Sequence, residues 1–123
     1  MAILESGEDY LESILKLSYQ TDGVHAIDVV NDLKLSKPSV SIMLKKLRDD
    51  GYVTIDDNNH LHLTKVGKEI AERIYERHQI LTDILIKIGV DEKTAEEDAC
   101  KIEHDLTNET FKAIKKYYNE KLK

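Results

Sequence analysis

Between Gly51 and Thr64 the spacing of apolar residues changes, and that change constrains the fold more than any other feature of the chain. Upstream, apolar side chains recur every three or four residues: Leu11, Ile14, Leu15 and Leu17; Ile27, Val30 and Leu33; then Val40, Met43, Leu44 and Leu47. That is the period of amphipathic helices. From Val53 to Leu63 the period drops to two, with Val53 and Ile55 before Asp57-Asn58-Asn59 and Leu61 and Leu63 after it. Alternation on both sides of turn-forming residues predicts a β-hairpin. After Thr64 the helical period returns, and Ile74, His78, Leu81, Leu85 and Ile88 form a heptad-like seam in one long helix over about 65–88. Gly89 stops it, and two more helices are expected at about 92–105 and 108–120.

Capping residues fit this order. Ser6, followed by Glu8 and Asp9, reads as the N-cap of a helix over about 6–20, closed by Thr21-Asp22-Gly23. A short helix over 26–33 turns through Lys34-Leu35-Ser36 into a third. Ser36 caps that helix, Pro38 sits in its first turn where a missing N–H costs nothing, and Gly51 ends it. Thr64 caps the long helix, which itself joins the two halves because no Pro/Gly-rich linker does. The expected fold is mainly α: a winged helix-turn-helix with a two-stranded β-wing over 1–64, then a helical domain over 65–123.

The length of 123 residues suits one compact unit, or two small subdomains sharing a helix. A single cysteine excludes a disulfide framework within one chain and suits a reducing, cytoplasmic setting. No apolar run approaches the roughly 18 residues of a membrane span. The amino terminus, MAILESGEDY, carries acids where a signal peptide has bases. Neither a membrane nor a small organic substrate is expected.

The net charge of −6 argues against nucleic acid until it is resolved by segment. Residues 1–35 hold two basic and seven acidic side chains, and 89–106 again hold two and seven, whereas 36–50 hold four and two. The basic stretch is the third helix, and helix, turn, helix, hairpin is the order of a DNA-binding winged helix. At the amino-terminal end of that helix, Ser36, Lys37, Pro38 and Ser39 are placed to enter the major groove, with Ser41, Ile42, Lys45 and Lys46 on its outer face. Serine donates to or accepts from base edges, and isoleucine packs on a thymine methyl. The helix amides, Lys37, Lys45 and Lys46 hold phosphate. An amphipathic helix carrying lysines for solubility is the plainer alternative. The wing tip, Asp56-Asp57-Asn58-Asn59, is acidic and repels phosphate.

The acidic blocks carry a second pattern. Asp9 and Glu12 are i, i+3 on the first helix, and Cys100, Glu103 and His104 form C-x-x-E-H on a later one, so each set shares a face. With His78 from the long helix, oxygen, sulfur and nitrogen donors come from three helices, the mixture a divalent transition metal recruits. Thiolate and imidazole favour iron, zinc, cobalt or nickel, and carboxylates suit manganese; several acids together also permit two ions. Each residue has a plainer role too. His78 fits a core position, Cys100 a small buried one, and Asp9, Glu12 and His104 complement helix dipoles.

The strings S-x-E-D-Y-L-E at Ser6–Glu12, S-K-P-S-V-S at Ser36–Ser41, L-T-K-x-G at Leu63–Gly67, R-H at Arg77-His78 and D-A-C-K-I-E-H at Asp98–His104 resemble the diphtheria toxin repressor / manganese transport regulator family. The resemblance runs from about residue 5 to 115, in order. It implies a homodimeric, metal-activated repressor: a winged helix, then a helical dimerisation domain, with metal held between them and a palindromic double-stranded operator as partner. The short chain resembles the two-domain manganese branch. By that resemblance Asp9, Glu12, His78, Cys100, Glu103 and His104 are metal ligands. Asp9 and Glu12 match the manganese branch, and Cys100 matches the iron branch, where the manganese branch has Glu. Thr82 and Glu96 stand where the iron branch has ancillary ligands, so that second site is not expected. Ile42 stands where relatives often carry a polar residue. The implied effector is Mn(II) ahead of Fe(II), with Zn(II) and Co(II) accepted in vitro, and the implied targets are metal uptake and homeostasis genes. Two rivals are a redox-responsive regulator acting through Cys100 and a metal- or thiol-dependent enzyme. The enzyme needs an oxyanion hole that this Gly-poor helical chain does not offer, so no enzymatic activity is expected.

Overall fold

A computed structural model describes residues 5–123, with side chains from Ser6 onward. Residues 1–4, the start of the segment read as lacking a signal sequence, lie outside the described residues. The chain divides into two compact units at Arg73/Ile74. Six α-helices and one hairpin follow in order: α1 (Glu5–Ser18), α2 (Ala26–Leu33), α3 (Lys37–Asp49), β1 (Val53–Ile55), β2 (Leu61–Leu63), α4 (Lys65–Lys87), α5 (Glu92–Ile102) and α6 (Asn108–Tyr117). A five-residue π-turn, Tyr118–Leu122, extends α6. The fold is thus mainly helical, with a two-stranded wing in its amino-terminal part. Among the described residues no helix is long and apolar enough to cross a membrane.

In the amino-terminal unit, the apolar faces read from the sequence converge. Leu11, Ile14 and Leu15 of α1, Val29 of α2, Val40, Leu44 and Leu47 of α3, and Val53 and Leu61 of the hairpin are all buried. Burying side chains of this size stabilises by about 1.5–3 kcal/mol each before chain entropy is charged. Polar contacts also join α1 to α2. Buried Ser13 donates to Asp32 at 2.7 Å, and Lys16 pairs with the same carboxylate at 3.1 Å. Ser6 is not the N-cap of α1, since it lies inside a helix that already includes Glu5. The other hydroxyl caps form: Ser36 accepts from the Ser39 amide at 3.2 Å, and Thr64 from that of Gly67 at 3.1 Å. At α2 the cap is reversed, with Asp28 accepting from the His25 amide at 2.8 Å.

The hairpin is antiparallel, with Val53 opposite Leu63 and Ile55 opposite Leu61. A two-stranded ribbon of this length is marginal alone. Here the loop after α1 reinforces it, because Leu61 N–H donates to Val24 C=O at 2.7 Å.

In the carboxy-terminal unit the core comprises Ile74, Ile80 and Leu81 of α4, Ala95 and Ala99 of α5, and Phe111 of α6. The seam does not stay buried to its end: Leu85 is half-buried, and Ile88 is exposed beyond the last turn of α4. Gly89, at φ 110°, breaks the helix there. Lys115 pairs with Glu76 at 2.9 Å and the Tyr118 hydroxyl donates to Asp83 at 2.6 Å, joining α6 to α4. That last bond raises the Tyr118 pKa, since the carboxylate it serves disfavours a second anion.

Candidate metal centre and nucleic-acid interface

In the amino-terminal unit all eight residues expected to meet DNA are exposed: Ser36, Lys37, Pro38, Ser39, Ser41, Ile42, Lys45 and Lys46. Ile42 is 70% exposed, an apolar side chain with no core to join. The helix amides, however, are mostly engaged. Ser39 N–H is taken by Ser36 Oγ and Val40 N–H by the Ser36 carbonyl, while Pro38 has none. The Ser36 hydroxyl in turn donates to Ser39 Oγ at 2.8 Å. Two of the first-turn amides are thus already taken, which leaves the Lys37 side chain the more accessible cationic group at this end. Ser36 shapes the turn, and Ser39 keeps a hydroxyl proton to offer.

A groove of about 520 Å³ runs between α2, α3 and the wing. Ile27, Val30 and Leu44 form part of its lining, as do Lys37, Lys45 and Arg48, and among the described residues no acidic one lines it. In a chain of charge −6 that is a local reversal of sign. Arg48 was not singled out from the sequence, although its place three residues after Lys45 was the available signal. At the wing, Asp56 is drawn into its own hairpin. It pairs with His62 at 2.8 Å and accepts from the amides of Asn58 and His60 at 2.8 and 3.0 Å. One of the two acids at the tip is thus matched locally.

The candidate metal ligands are divided between the units. Asp9 and Glu12 stand half-buried one turn apart on α1. His78, Cys100, Glu103 and His104 lie in the carboxy-terminal unit, where the structure brings them together around Glu103. One oxygen of its carboxylate meets His78 Nδ1 at 2.9 Å, and the other is 3.5 Å from His104 Nε2. Donor atoms of Cys100, Glu103 and His104 lie within 4.8 Å of one another. The helical placement of C-x-x-E-H needs correcting: α5 ends at Ile102, Glu103 is its C-cap, and His104 lies in the following turn. Cys100, in the last turns of α5, is exposed and forms no disulfide.

Glu103 is fully buried, and its Oε1 has no hydrogen-bond donor among the described residues. Burying a carboxylate costs several kcal/mol unless it is paired, and orphaned buried acceptors are uncommon in native structures. An orphaned carboxylate oxygen beside imidazole and thiol fits a divalent transition cation by its donor chemistry.

Residues 2–61 match the family described as iron dependent repressor, N-terminal DNA binding domain, and residues 64–121 match iron dependent repressor, metal binding and dimerisation domain. The transcriptional regulator MntR of Salmonella typhimurium is 33% identical over 107 residues, 87% of this chain and 68% of that protein. The chain belongs to the iron-dependent repressor family. An uncharacterized HTH-type transcriptional regulator of Methanocaldococcus jannaschii is 36% identical over 97% of this chain and 96% of that protein. Among solved structures, the manganese regulator SloR aligns with a TM-score of 0.82 at 27% identity, over 92% of this chain and 53% of its own. This chain therefore spans about half the length of that regulator. Membership carries the coarse function: a metal-dependent, DNA-binding regulator of transcription, with no enzymatic role.

Proposed function

We propose that this chain is a metal-activated repressor of metal-ion uptake and homeostasis genes, acting in the cytoplasm as a homodimer on a palindromic operator. Residues 1–64 read DNA, and residues 65–123 bind metal and dimerise. Mn(II) is the favoured effector ahead of Fe(II), and Zn(II) and Co(II) are accepted in vitro. The observation that carries the reading is buried Glu103, with an oxygen lacking a donor and imidazoles on both sides. Two carboxylates on α1 weight the donor set toward manganese, and the likeness to a manganese regulator adds support. Cys100 pulls toward softer ions.

Six residues supply the ligands: Asp9, Glu12, His78, Cys100, Glu103 and His104. A bound divalent cation would supply positive charge shared among these carboxylates. Asp9 and Glu12 carry the same sign of charge as Glu103, so in the absence of the cation the winged helix is held less firmly on the dimer. With it, Asp9 and Glu12 hold α1 to the helical domain, and the paired α3 helices stand near one turn of DNA apart, roughly 34–36 Å. The DNA-competent arrangement must be the one in which these ligands bind the cation more tightly, since equal affinity shifts nothing. Ser39, Ser41 and Ile42 then face base edges, while Lys37, Lys45, Lys46 and the groove beside Arg48 take the sugar–phosphate strand.

Fluorescence anisotropy on duplexes enriched from a random pool in Mn(II) tests this directly. Binding is expected to weaken at least about tenfold with chelator, the size of a typical allosteric coupling. Glu103→Gln is expected to lose the metal response and remain a dimer. Affinity indifferent to chelator overturns the reading. Loss of response in Cys100→Ser only under oxidant, with no metal requirement, favours the redox rival.

A further inference from the structure

Arg77 precedes a candidate ligand, yet it points into the core. It is buried to 4% exposure. One guanidinium nitrogen donates to the carbonyls of Glu103 at 2.9 Å and Leu106 at 2.8 Å, and another to Asn108 Oδ1 at 2.6 Å. The group also stands 5.2 Å from the centre of the Phe111 ring, where its charge gains from the π-face. These acceptors span the whole connection from the end of α5 to the first residue of α6.

That connection carries Glu103 and His104. Both lie past the last residue of α5, so a continuing helix ladder does not orient His104. Consecutive residues of α4 reach the same segment in different ways: Arg77 holds its main chain, and His78 meets the Glu103 carboxylate at 2.9 Å. Burying a guanidinium is costly unless its hydrogen bonds are made, so the turn and the arginine stabilise each other. Lysine cannot replace it, because a single ammonium lacks the planar fork that serves several acceptors at once.

We propose that Arg77 is a positioning residue of the metal centre: by clamping the 103–108 turn to α4 it sets where Glu103 and His104 present their donor atoms. The proposal rests on the metal-site reading above and adds to it a residue outside the ligand set. Outer contacts that orient ligands typically change metal affinity by about 10- to 100-fold.

The test compares Arg77→Lys, Asn108→Ala and Lys115→Ala in the full chain. Lys115→Ala also removes a polar contact between α4 and α6, the pair with Glu76, but not one to the turn. In metal-free protein, the Glu103 and Asp105 amides, which donate to Ala99 and Ile102 carbonyls, are expected to exchange about tenfold faster in Arg77→Lys through local opening. Lys115→Ala is expected to leave them unchanged. Mn(II) affinity, measured by paramagnetic resonance of the free ion, is expected to fall about 10- to 100-fold in Arg77→Lys, less in Asn108→Ala, and not in Lys115→Ala. Should Arg77→Lys fail to fold, Asn108→Ala carries the same comparison with one acceptor removed. Unchanged exchange in a folded Arg77→Lys, or an equal loss of affinity in Lys115→Ala, overturns the proposal. If wild type binds Mn(II) no better than Glu103→Gln, the metal reading fails, and the exchange experiment still decides whether Arg77 holds the turn.

Discussion

Asp56 shows how far one side chain's surroundings redirect what its charge does. The His62 contact, then the His60 amide, hold its carboxyl down to about 2, against an ordinary 3.8. A carboxyl whose folded pKa is depressed contributes stability that is present above the unfolded value and is lost as pH falls through the folded one. The wing is therefore expected to loosen between about pH 4 and 2. Denaturant titrations of wild type and Asp56→Asn across that range check it: the two should differ at pH 6 and converge near pH 2, whereas parallel curves count against the assignment. At this scale the sequence was only partly legible. Hydroxyl caps such as Ser36 and Thr64 announce themselves by position. The pairing of Asp56 with His62 depends on which residues the hairpin register places near each other. Arg77 is the instructive omission. A base three residues after buried Ile74 and four before buried Leu81 belongs to the core stripe of α4, and that misplacement was the available signal.

At the level of elements, the junction of hairpin and long helix is closely packed. Thr64 donates its hydroxyl to the Gly51 carbonyl at 2.7 Å and its amide to that of Tyr52 at 3.1 Å, while capping α4 through Gly67. Gly67 has to be glycine, since a Cβ there would stand 2.1 Å from the Tyr52 carbonyl oxygen, a backbone atom with little room to move. Gly67→Ala is expected to destabilise by about 1–3 kcal/mol, as overpacking generally does. Chemical denaturation monitored by circular dichroism measures it, and a neutral result would mean that α4 can shift freely on the hairpin. Among the described residues all six helices and both strands were visible in the periodicity, because each buries one face. Their ends were less so. The helix expected over 92–105 stops at Ile102, and the one expected over 108–120 passes at Tyr118 into a π-turn. Apolar spacing reports which face is buried and carries little information about the last turn, where hydrogen bonds such as those of Arg77 decide the outcome.

For the molecule as a whole, net charge was the least informative number. Acidity gathers on α1 and around α5, while the groove beside α3 carries Lys37, Lys45 and Arg48 and, among the described residues, no acid. On the proposed reading, DNA binding through that groove releases counterions, so affinity is expected to fall with salt in proportion to the phosphates neutralised. Replacing Lys37, Lys45 or Lys46 by Gln is expected to reduce the log–log salt slope by about 1 for each phosphate that the variant no longer neutralises, and to weaken binding to all sequences alike. Anisotropy between 50 and 200 mM salt, roughly the range over which such slopes are read, distinguishes this from loss of base recognition, which would spare the slope. The candidate site was legible as residue types at ligand spacing. What spacing could not convey was that Glu103 is wholly buried with one oxygen unmatched, because burial depends on elements far apart in the chain.

The short backbone bond between Leu61 and Val24 has a consequence for how the protein keeps to itself. Exposed strand edges invite pairing with other chains, and a small wing is the obvious place for it. Here Val24 bridges to Leu61, so the flank of β2 is partly taken from within. The other edge belongs to β1, only three residues long and leading into Asp56 and Asp57. A brief edge flanked by acids is a poor template for aggregation. The same acids that are ill placed for gripping DNA thus guard the hairpin against its own kind.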